Sequence, residues 1–338
     1  MDNKFLETAS FAVIGHGSWA SALVKILLDA GSHVNWYIRN EDIIEHIRLH
    51  GNNQKYLSTI HYTSPNLSLY GDINRAVKNS GIILLATPSA YLEDFMEENQ
   101  QPLDGKFVIS AIKGIIPNEY LTVAEWVKKK YNIQSDCIGI ISGPCHAEEV
   151  ALERLSYLTM VCENIERAKI LAKRFSADYI RLSTSTDVYG IEYATVLKNI
   201  YAIACGMCNM MGYGDNFTAV IIANAIKEIK NFLNISHPCE CRNMADSVYL
   251  GDLLVTCYSQ FSRNRTFGQM IGHGYSVKNA RIEMHMVAEG YFAAACIRKI
   301  KERCKLKIDM PIADMMYGIL YENRNPRQSV RLLIEKLV

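Results

Sequence analysis

Lys198 is the residue whose type and surroundings point most directly to chemistry. It is the only charged residue between Glu192 and Asp215 in a chain of 338 residues. Its neighbours on a helix face would be apolar or uncharged, so its ammonium group is solvated only if that face borders a cleft. Burial lowers a lysine pKa, which makes Lys198 a candidate proton donor and acceptor near neutral pH. A lysine that extends its charge to water at a helix edge would give the same pattern.

Two other isolated charges could act together with this lysine. Lys113 is the only charge in the range 107–117 and directly follows a predicted strand, where α/β proteins place their binding crevice. Two lysines that face one cleft repel, which lowers the pKa of one and leaves the other to hold an anion. Asp252 is the only charge in the range 247–262, and it could pair with a lysine and orient it.

A short polar run, Ser262-Arg263-Asn264, precedes a predicted helix over 266–271. A hydroxyl, a guanidinium and an amide at a helix N-terminus together suit a phosphate group. The alternative is an ordinary capped helix whose arginines face water.

The segment over 11–31 predicts a strand, a glycine turn and an amphipathic helix. Gly15 would make the tight turn, Gly17 would let the backbone approach a pyrophosphate, and Ala20 would let the helix pack close to the strand. A second predicted strand over 34–38 completes the βαβ unit. This order predicts a dinucleotide site, although glycines also close ordinary strand–helix turns.

The end of that second strand bears on the choice of cofactor. The Asp or Glu that commonly binds the ribose is missing, and Arg39 and Asn40 stand there instead. An arginine can take a 2′-phosphate, so both NAD and NADP fit, with an expected preference below roughly thirtyfold. Arg39 could otherwise stack on the adenine or face water.

The fold class predicted is α/β, with a doubly wound, mostly parallel sheet domain over 1–186 and an all-helical domain over 187–338. Strands and helices alternate along the first part, as such a sheet requires. The alternation stops at the polar stretch 183–186, which suits a helix N-cap. Further strands are predicted over 82–86, 107–110, 137–141, 158–162 and 179–182, and helices over 89–98, 118–130 and 166–175.

Composition excludes several classes of protein. The net charge of +1 gives no reason to expect nucleic acid or an anionic membrane as partner. The first ten residues lack the apolar run of a signal peptide, and the uncharged run 199–214 is too short and polar for a transmembrane segment. Ten cysteines then indicate reduced thiols and a cytoplasmic location. His237, Cys239 and Cys241 lack a second ligand pair at finger-like spacing, so we expect no metal.

Several distant motifs are specific when they occur together in one order. They are VIGHGSWASAL, SAIKGI, ISGPCHAEEVA, DVYGIEYATVLKNIYAIACG, GDN, LGDLLVTC, SRNRTFG and VAEG. Through them the chain resembles the bacterial NAD(P)-dependent glycerol-3-phosphate dehydrogenase family along nearly its whole length. The resemblance implies a Rossmann-type first domain and reversible, NAD(P)H-dependent reduction of dihydroxyacetone phosphate to sn-glycerol 3-phosphate, for glycerophospholipid synthesis.

The resemblance also implies roles for individual residues. Lys198 corresponds to the proton-transferring lysine, Lys113 to a lysine that contacts substrate and cofactor, and Asp252 to the aspartate beside them. The other implied substrate contacts are Gly143, Cys145, Ser262, Arg263 and Asn264. Beside Gly15, Gly17 and Arg39, the implied cofactor contacts are Ser18, Trp19, Lys113, Ala147, Arg263, Val287 and Glu289.

Some positions depart from the family pattern. Cys145 stands where Ser or Thr is usual, which would weaken or remove a hydroxyl contact to the substrate. His146 replaces a usual aromatic residue, and Asn224-Ala225 replaces a common Arg-Gly pair. Because none of these is a proton-transfer or phosphate-binding residue, we expect an active enzyme with a small-molecule substrate. A homodimer is a possible assembly.

Two alternatives remain open at the level of the sequence. A hydroxy-acid or sugar-nucleotide dehydrogenase could share the two-domain plan, but the Ser262-Arg263-Asn264 run argues against it. A non-catalytic nucleotide sensor could share the fold, but the presence of both Lys198 and Asp252 argues against that.

Overall fold

The computed structural model describes residues 2–284, 287–305 and 307–337. The chain divides into two compact units. The first consists of Met1–Ile112 and Val123–Val188, and the second of Lys113–Thr122 and Tyr189–Val338. The segment that begins at Lys113 therefore groups with the second unit, which no pattern in the sequence indicated. The assignment of cofactor binding to 1–186 and substrate binding to 187–338 stays a prediction.

The strands are short and mostly apolar. They are β1 (Phe11–Ile14), β2 (Val34–Tyr37), β3 (Leu67–Tyr70), β4 (Ile82–Leu85), β5 (Phe107–Ser110), β6 (Ile115–Ile116), β7 (Leu121–Thr122), β8 (Ile138–Ser142), β9 (Ser156–Cys162) and β10 (Ile180–Ser185).

The described part of the first unit is built on one eight-stranded sheet, in the order β3-β2-β1-β4-β5-β8-β9-β10. Neighbouring strands are parallel except β8 and β9. Strands β1, β2, β4, β5 and β8 are buried at every residue, as continuous apolar runs predict for strands covered on both faces. The prediction of a doubly wound sheet is confirmed, and its order reverses between β1 and β4, where such sheets bind ligands.

Helices flank this sheet, and one predicted helix boundary was wrong. The predicted helix over 118–130 begins only at Val123, because Ile115–Ile116 and Leu121–Thr122 pair as an antiparallel hairpin. Residues 183–185 of the polar stretch lie in β10, which stays paired with β9 as far as Ser185, and the next helix begins at Val188. The N-cap at the end of this stretch stays a prediction. The helices are α1 (Asn3–Thr8), α2 (Ser18–Asp29), α3 (Glu41–His50), α4 (Ile73–Lys78), α5 (Leu92–Glu97), α6 (Val123–Tyr131), α7 (Ala147–Ala151) and α8 (Ile165–Lys173).

Among the residues that the structure describes, the regular structure of the second unit is helical apart from the β6–β7 hairpin. The prediction of a helical domain is therefore confirmed. The uncharged run over 199–214 is helical as far as Met210. In the described ranges no helix has the length and apolarity needed to cross a membrane. The helices are α9 (Val188–Met210), α10 (Asp215–Ser236), α11 (Asp252–Tyr258), α12 (Arg263–His273), α13 (Val277–Glu283), α14 (Glu289–Arg303), α15 (Pro311–Tyr321) and α16 (Pro326–Ile334).

Candidate active site

Three charged side chains predicted from their isolation in the sequence lie together in the second unit. Lys198 Nζ is 2.5 Å from Asp252 Oδ1. Lys113 Nζ is 3.3 Å from the same oxygen and 3.4 Å from Oδ2. The side chains of Lys198 and Asp252 are 4% and 1% exposed, whereas that of Lys113 is 21% exposed. One buried carboxylate therefore bridges two ammonium groups, of which Lys113 is the one open to solvent.

Burial dominates the protonation of Lys198. It lowers the pKa of Lys198 to about 7, Asp252 opposes the shift, and Lys113 adds to it. A group with a pKa near the working pH is present in both protonation states, so it can donate a proton in one direction and accept one in the other. This is the property expected of an acid–base catalyst.

The carboxylate of Asp252 is placed by an irregular turn. Residues Ser247–Gly251 form a π-helical turn, and α11 begins at Asp252 itself. Thr256 lies one turn after Asp252 in α11, and its Oγ1 donates a hydrogen bond of 2.6 Å to the Asp252 carbonyl oxygen. Short π-helical turns inside helical segments occur frequently at functional sites.

A chain of amide hydrogen bonds fixes the backbone around these charges. Asn199 Nδ2 donates to the Lys113 carbonyl oxygen at 2.7 Å, and Asn264 Nδ2 donates to Asn199 Oδ1 at 2.9 Å. The Gly290 backbone N–H donates to Asn264 Oδ1 at 2.9 Å. Because a backbone carbonyl lies at one end and a backbone N–H at the other, both amides have a defined orientation. Asn199 was not predicted as a site residue, because its only signal in the sequence is its place beside Lys198.

Glycines let three helices approach each other to backbone contact. A Cβ at Gly206 in α9 would lie 2.0 Å from the Arg265 carbonyl oxygen, and one at Gly268 in α12 would lie 2.0 Å from that of Ile203. A Cβ at Gly290 in α14 would lie 2.5 Å from the Asn199 carbonyl oxygen. No side chain fits at such distances, so the register of α9, α12 and α14 depends on these glycines.

The run predicted as a phosphate site forms the start of α12. Ser262 caps the helix, with its Oγ accepting from the Arg265 backbone N–H at 3.3 Å, and Asn264 is held in the amide chain. The Arg263 side chain is half-buried and forms no hydrogen bond or ion pair with the residues that the structure describes. Ser262 is therefore an ordinary helix N-cap, as the alternative interpretation predicted. Arg263, the next residue, has a guanidinium with no partner among the described residues.

The glycine turn in the first unit has the features of a pyrophosphate site. Gly15 has φ +122°, and a Cβ there would lie 2.6 Å from the Ala86 carbonyl oxygen. Gly17 has an ordinary φ of −72°, and a Cβ there would meet no described atom within 4 Å. Neither strain nor a neighbouring side chain requires glycine at Gly17, so the open space above the first turn of α2 fits a bound anion.

Buried polar contacts that the sequence did not reveal support the turn. Asn53 Nδ2 donates to the His16 carbonyl oxygen at 3.1 Å and to Ser21 Oγ at 3.0 Å. Trp36 Nε1 donates to the Gly15 carbonyl oxygen at 2.6 Å. Both donors lie far from the turn in the sequence, and for that reason local patterns could not identify them.

The remaining predicted site residues fall at the ends of elements. Gly143 follows β8 with φ +143°, and a Cβ there would lie 2.6 Å from the Tyr157 carbonyl oxygen. Close packing against β9 therefore requires glycine at this position whether or not a substrate binds. Ser18 and Trp19 lie in the first turn of α2, Cys145 is buried just before α7, Ala147 begins α7, and Val287 and Glu289 lie at the start of α14.

Cysteine and histidine residues cluster in the sequence at His237, Cys239 and Cys241, where they are possible metal ligands. In the part of the chain that the structure describes, no group of three or more His, Cys, Asp or Glu side chains could hold a metal ion. The His237 ring instead lies against the Tyr189 and Tyr193 rings, with centroid separations of 5.2 Å and 5.0 Å.

Known protein families match the sequence of this chain in both units. The sequence profile of the NAD-dependent glycerol-3-phosphate dehydrogenase N-terminus matches residues 10–168, and that of the C-terminus matches residues 187–331. A glycerol-3-phosphate dehydrogenase [NAD(P)+] of Clostridium botulinum is 32% identical over 95% of this chain and 96% of its own. One from Oceanobacillus iheyensis is 34% identical over 96% of this chain and 93% of its own.

A solved structure shows the same likeness in three dimensions. The crystal structure of glycerol-3-phosphate dehydrogenase from Coxiella burnetii superposes with a TM-score of 0.88 at 25% identity, over 97% of this chain and 99% of that one. Together with the profile matches, these similarities show that the chain belongs to the NAD-dependent glycerol-3-phosphate dehydrogenase family.

Proposed function

We propose that this protein catalyses the reversible, NAD(P)H-dependent reduction of dihydroxyacetone phosphate to sn-glycerol 3-phosphate, which supplies glycerophospholipid synthesis. The observation that carries the mechanism is the buried pair Lys198–Asp252 beside Lys113, with a Lys198 pKa of about 7. Relatives that match nearly the whole chain are named for this activity.

Lys198 is the proton donor in this proposal. When bound, the reduced nicotinamide supplies the hydride that the carbonyl carbon accepts. The Lys198 ammonium donates a proton to the carbonyl oxygen as the C–O double bond opens, so that an alcohol forms and Lys198 becomes neutral. In the reverse reaction neutral Lys198 accepts the hydroxyl proton.

Asp252 and Lys113 support this transfer from either side. Asp252 holds Lys198 in position and offsets part of the cost of a buried ammonium ion. Lys113, one-fifth exposed, is the cation placed to attract the substrate and to polarise its carbonyl group. Once Lys198 has lost its proton, the Asp252 carboxylate keeps Lys113 as its partner, so no buried charge is left alone.

Arg263 is the main phosphate contact in this proposal. Its guanidinium lacks a partner among the described residues, and charge-assisted hydrogen bonds to a dianionic phosphate are about twice as strong as neutral ones. Ser262 uses its oxygen as an acceptor in the cap, so its hydroxyl proton is available to a phosphate oxygen. Binding energy from this remote group can orient the carbonyl without taking part in the chemistry.

The cofactor contacts follow the glycine turn and the family pattern. The open space at Gly17 and the turn at Gly15 support binding of the pyrophosphate, with Ser18 and Trp19 next along α2. Ala147, Val287, Glu289 and Arg39 are assigned to the cofactor, and Gly143 and Cys145 to the substrate, on the family resemblance. A cytoplasmic location and a homodimer stay predictions.

The proposed reaction is tested with the purified full chain and two reduced cofactors. The absorbance of NADH and of NADPH is followed separately after addition of dihydroxyacetone phosphate, unphosphorylated dihydroxyacetone, or a 2-keto acid. We expect oxidation of the reduced cofactor with the phosphorylated substrate and much slower oxidation with the other two. Equal rates with the keto acid would contradict the proposed substrate, and no oxidation with any of the three would contradict the enzymatic function.

A further inference from the structure

Arg39, which the sequence offered as a 2′-phosphate ligand, already has an acidic partner. Its Nη2 is 2.6 Å from Glu98 Oε1 and donates to the Asp94 carbonyl oxygen at 3.0 Å. Its guanidinium carbon lies 4.1 Å from the centre of the Phe95 ring. The guanidinium is thus held against α5 and the residue that follows it, by charge, by a backbone acceptor and by an aromatic face.

The second oxygen of Glu98 is held as well. Tyr37, the last residue of β2, donates its hydroxyl to Glu98 Oε2 at 2.5 Å. Burial, and then this hydrogen bond, raise the pKa of Tyr37 to about 12, so the phenol keeps its proton. Glu98 is therefore anchored at the end of β2 by residues of that strand and of the loop that follows.

The end of β2 is the place where dinucleotide-binding folds recognise the adenosine ribose. An acidic residue at that strand end favours NAD, whereas an unpaired arginine favours NADP. In this chain the end of β2 has no acidic residue of its own. Glu98, 59 positions after Arg39 in the sequence, places its carboxylate there. The charge that a 2′-phosphate would need is already neutralised.

The other groups at the end of β2 do not supply a positive charge in place of Arg39. The Asn40 side chain accepts from the Asp42 and Ile43 backbone N–H groups, so it is used as the cap of α3. The first turn of α3 carries two acids, and the carboxylate of Glu41 lies where a Cβ at Gly71 would be. The two acids add negative charge close to the end of β2.

We propose that Glu98 is a specificity-determining residue, which by pairing with Arg39 makes the protein favour NADH over NADPH. The proposal rests on the proposed function, in which the first unit binds the dinucleotide cofactor. The sequence alone predicted that both cofactors are used, with a preference below roughly thirtyfold, and the proposal now specifies NADH as the preferred one. An Arg39 released from Glu98 would form charge-assisted hydrogen bonds to a 2′-phosphate. Such bonds would raise the affinity about ten- to hundredfold, or about 1.4–2.8 kcal/mol.

The test is the binding of cofactor fragments to Glu98→Gln. The fragments are 5′-AMP and adenosine 2′,5′-bisphosphate, which lack nicotinamide, and binding to the full chain is measured by calorimetry. We expect wild type to bind the bisphosphate no tighter than 5′-AMP. Glu98→Gln should bind the bisphosphate about tenfold tighter than wild type does, with 5′-AMP changed by less than about threefold.

Two further variants separate the ion pair from its alternatives. Glu97→Gln removes the same charge from the adjacent residue, which is exposed and forms no ion pair with any described residue, so it should bind both fragments as wild type does. Glu98→Gln combined with Arg39→Ala should lose the gain, since the released guanidinium is absent. The pair is half-exposed on both sides, and such pairs contribute only ~0–1 kcal/mol to folding, so these variants should fold.

The outcomes for Glu98 and for the enzymatic function are distinguishable. The same gain in Glu97→Gln, a gain that survives Arg39→Ala, or tighter binding of the bisphosphate to wild type would overturn the role of Glu98. If the fragments bind as expected but the enzyme does not reduce dihydroxyacetone phosphate, the role of Glu98 in cofactor preference is supported and the proposed function is contradicted.

Discussion

Asp252→Asn is the perturbation that most directly tests how the buried charges act together. Asp252 raises the pKa of Lys198, while burial and Lys113 lower it. Asparagine keeps the size of the side chain and removes the charge. The variant should therefore lower the pKa of Lys198 further below its present value of about 7.

The magnitude follows from the distance and the burial. An opposite charge within hydrogen-bond distance typically shifts a pKa by about 1–3 units, which places the Lys198 pKa of the variant at roughly 4–6. Reduction needs protonated Lys198. At pH 7 the protonated fraction should fall from about one half to between about 0.1 and 0.001, so the rate should fall about five- to five-hundredfold. Oxidation of glycerol 3-phosphate needs neutral Lys198 and should lose its dependence on pH between about 6 and 8.

The assay is the pH dependence of kcat/KM in both directions, which reports groups of the free enzyme. Asp246→Asn is the matched control, since Asp246 is exposed, lies just before the same π-helical turn, and is not in contact with either lysine in the described structure. The break near pH 7 should move only in Asp252→Asn. A break that stays in place in this variant would refute the conclusion that Asp252 controls the protonation of Lys198.

Two further predictions concern the phosphate contact and a buried carboxyl group. Arg263→Ala should weaken use of dihydroxyacetone phosphate by about 2–5 kcal/mol in kcat/KM and affect unphosphorylated dihydroxyacetone much less, and equal losses would assign Arg263 to the cofactor or the fold. Burial raises the pKa of Glu228, which accepts from the Ile312 and Ala313 backbone N–H groups and from Tyr201, to about 7. Because this value exceeds the unfolded one, stability should fall by up to about 3 kcal/mol as the pH rises from 5 to 8, as measured by urea unfolding. Glu228→Gln should flatten that dependence, and an unchanged slope would contradict the assignment.

The sheet was predictable because its strands follow simple physical rules. Strands covered on both faces must be apolar throughout, so β1, β4 and β5 stand out as short uninterrupted runs. Strand β3 was not predicted because none of its residues is fully buried and its one alternation, Leu67-Ser68-Leu69, is only three residues long. The β6–β7 hairpin was missed because two residues per strand carry no measurable pattern.

The charged cluster was predictable in part for a related reason. A charge in an apolar stretch needs a partner or a cleft, so the isolation of Lys113, Lys198 and Asp252 pointed to one site before any fold was known. The amide of Asn199 and the carboxylate of Glu98 gave no such signal. Asn199 contacts Lys113, and Glu98 contacts Arg39. Both partners are distant in the sequence, so these contacts exist only once the chain has folded.

The central claim is that Lys198 transfers the proton, and Lys198→Ala tests it most directly. The fold should persist, because the buried Asp252 carboxylate keeps Lys113 as a partner. The measurement is kcat for reduction of dihydroxyacetone phosphate at saturating cofactor, together with calorimetric binding of that cofactor. We predict a fall in kcat of about 10²–10⁴, the usual contribution of general acid catalysis, with unchanged cofactor binding. A variant with kcat within about threefold of wild type, less than 1 kcal/mol in the barrier, would contradict the assignment.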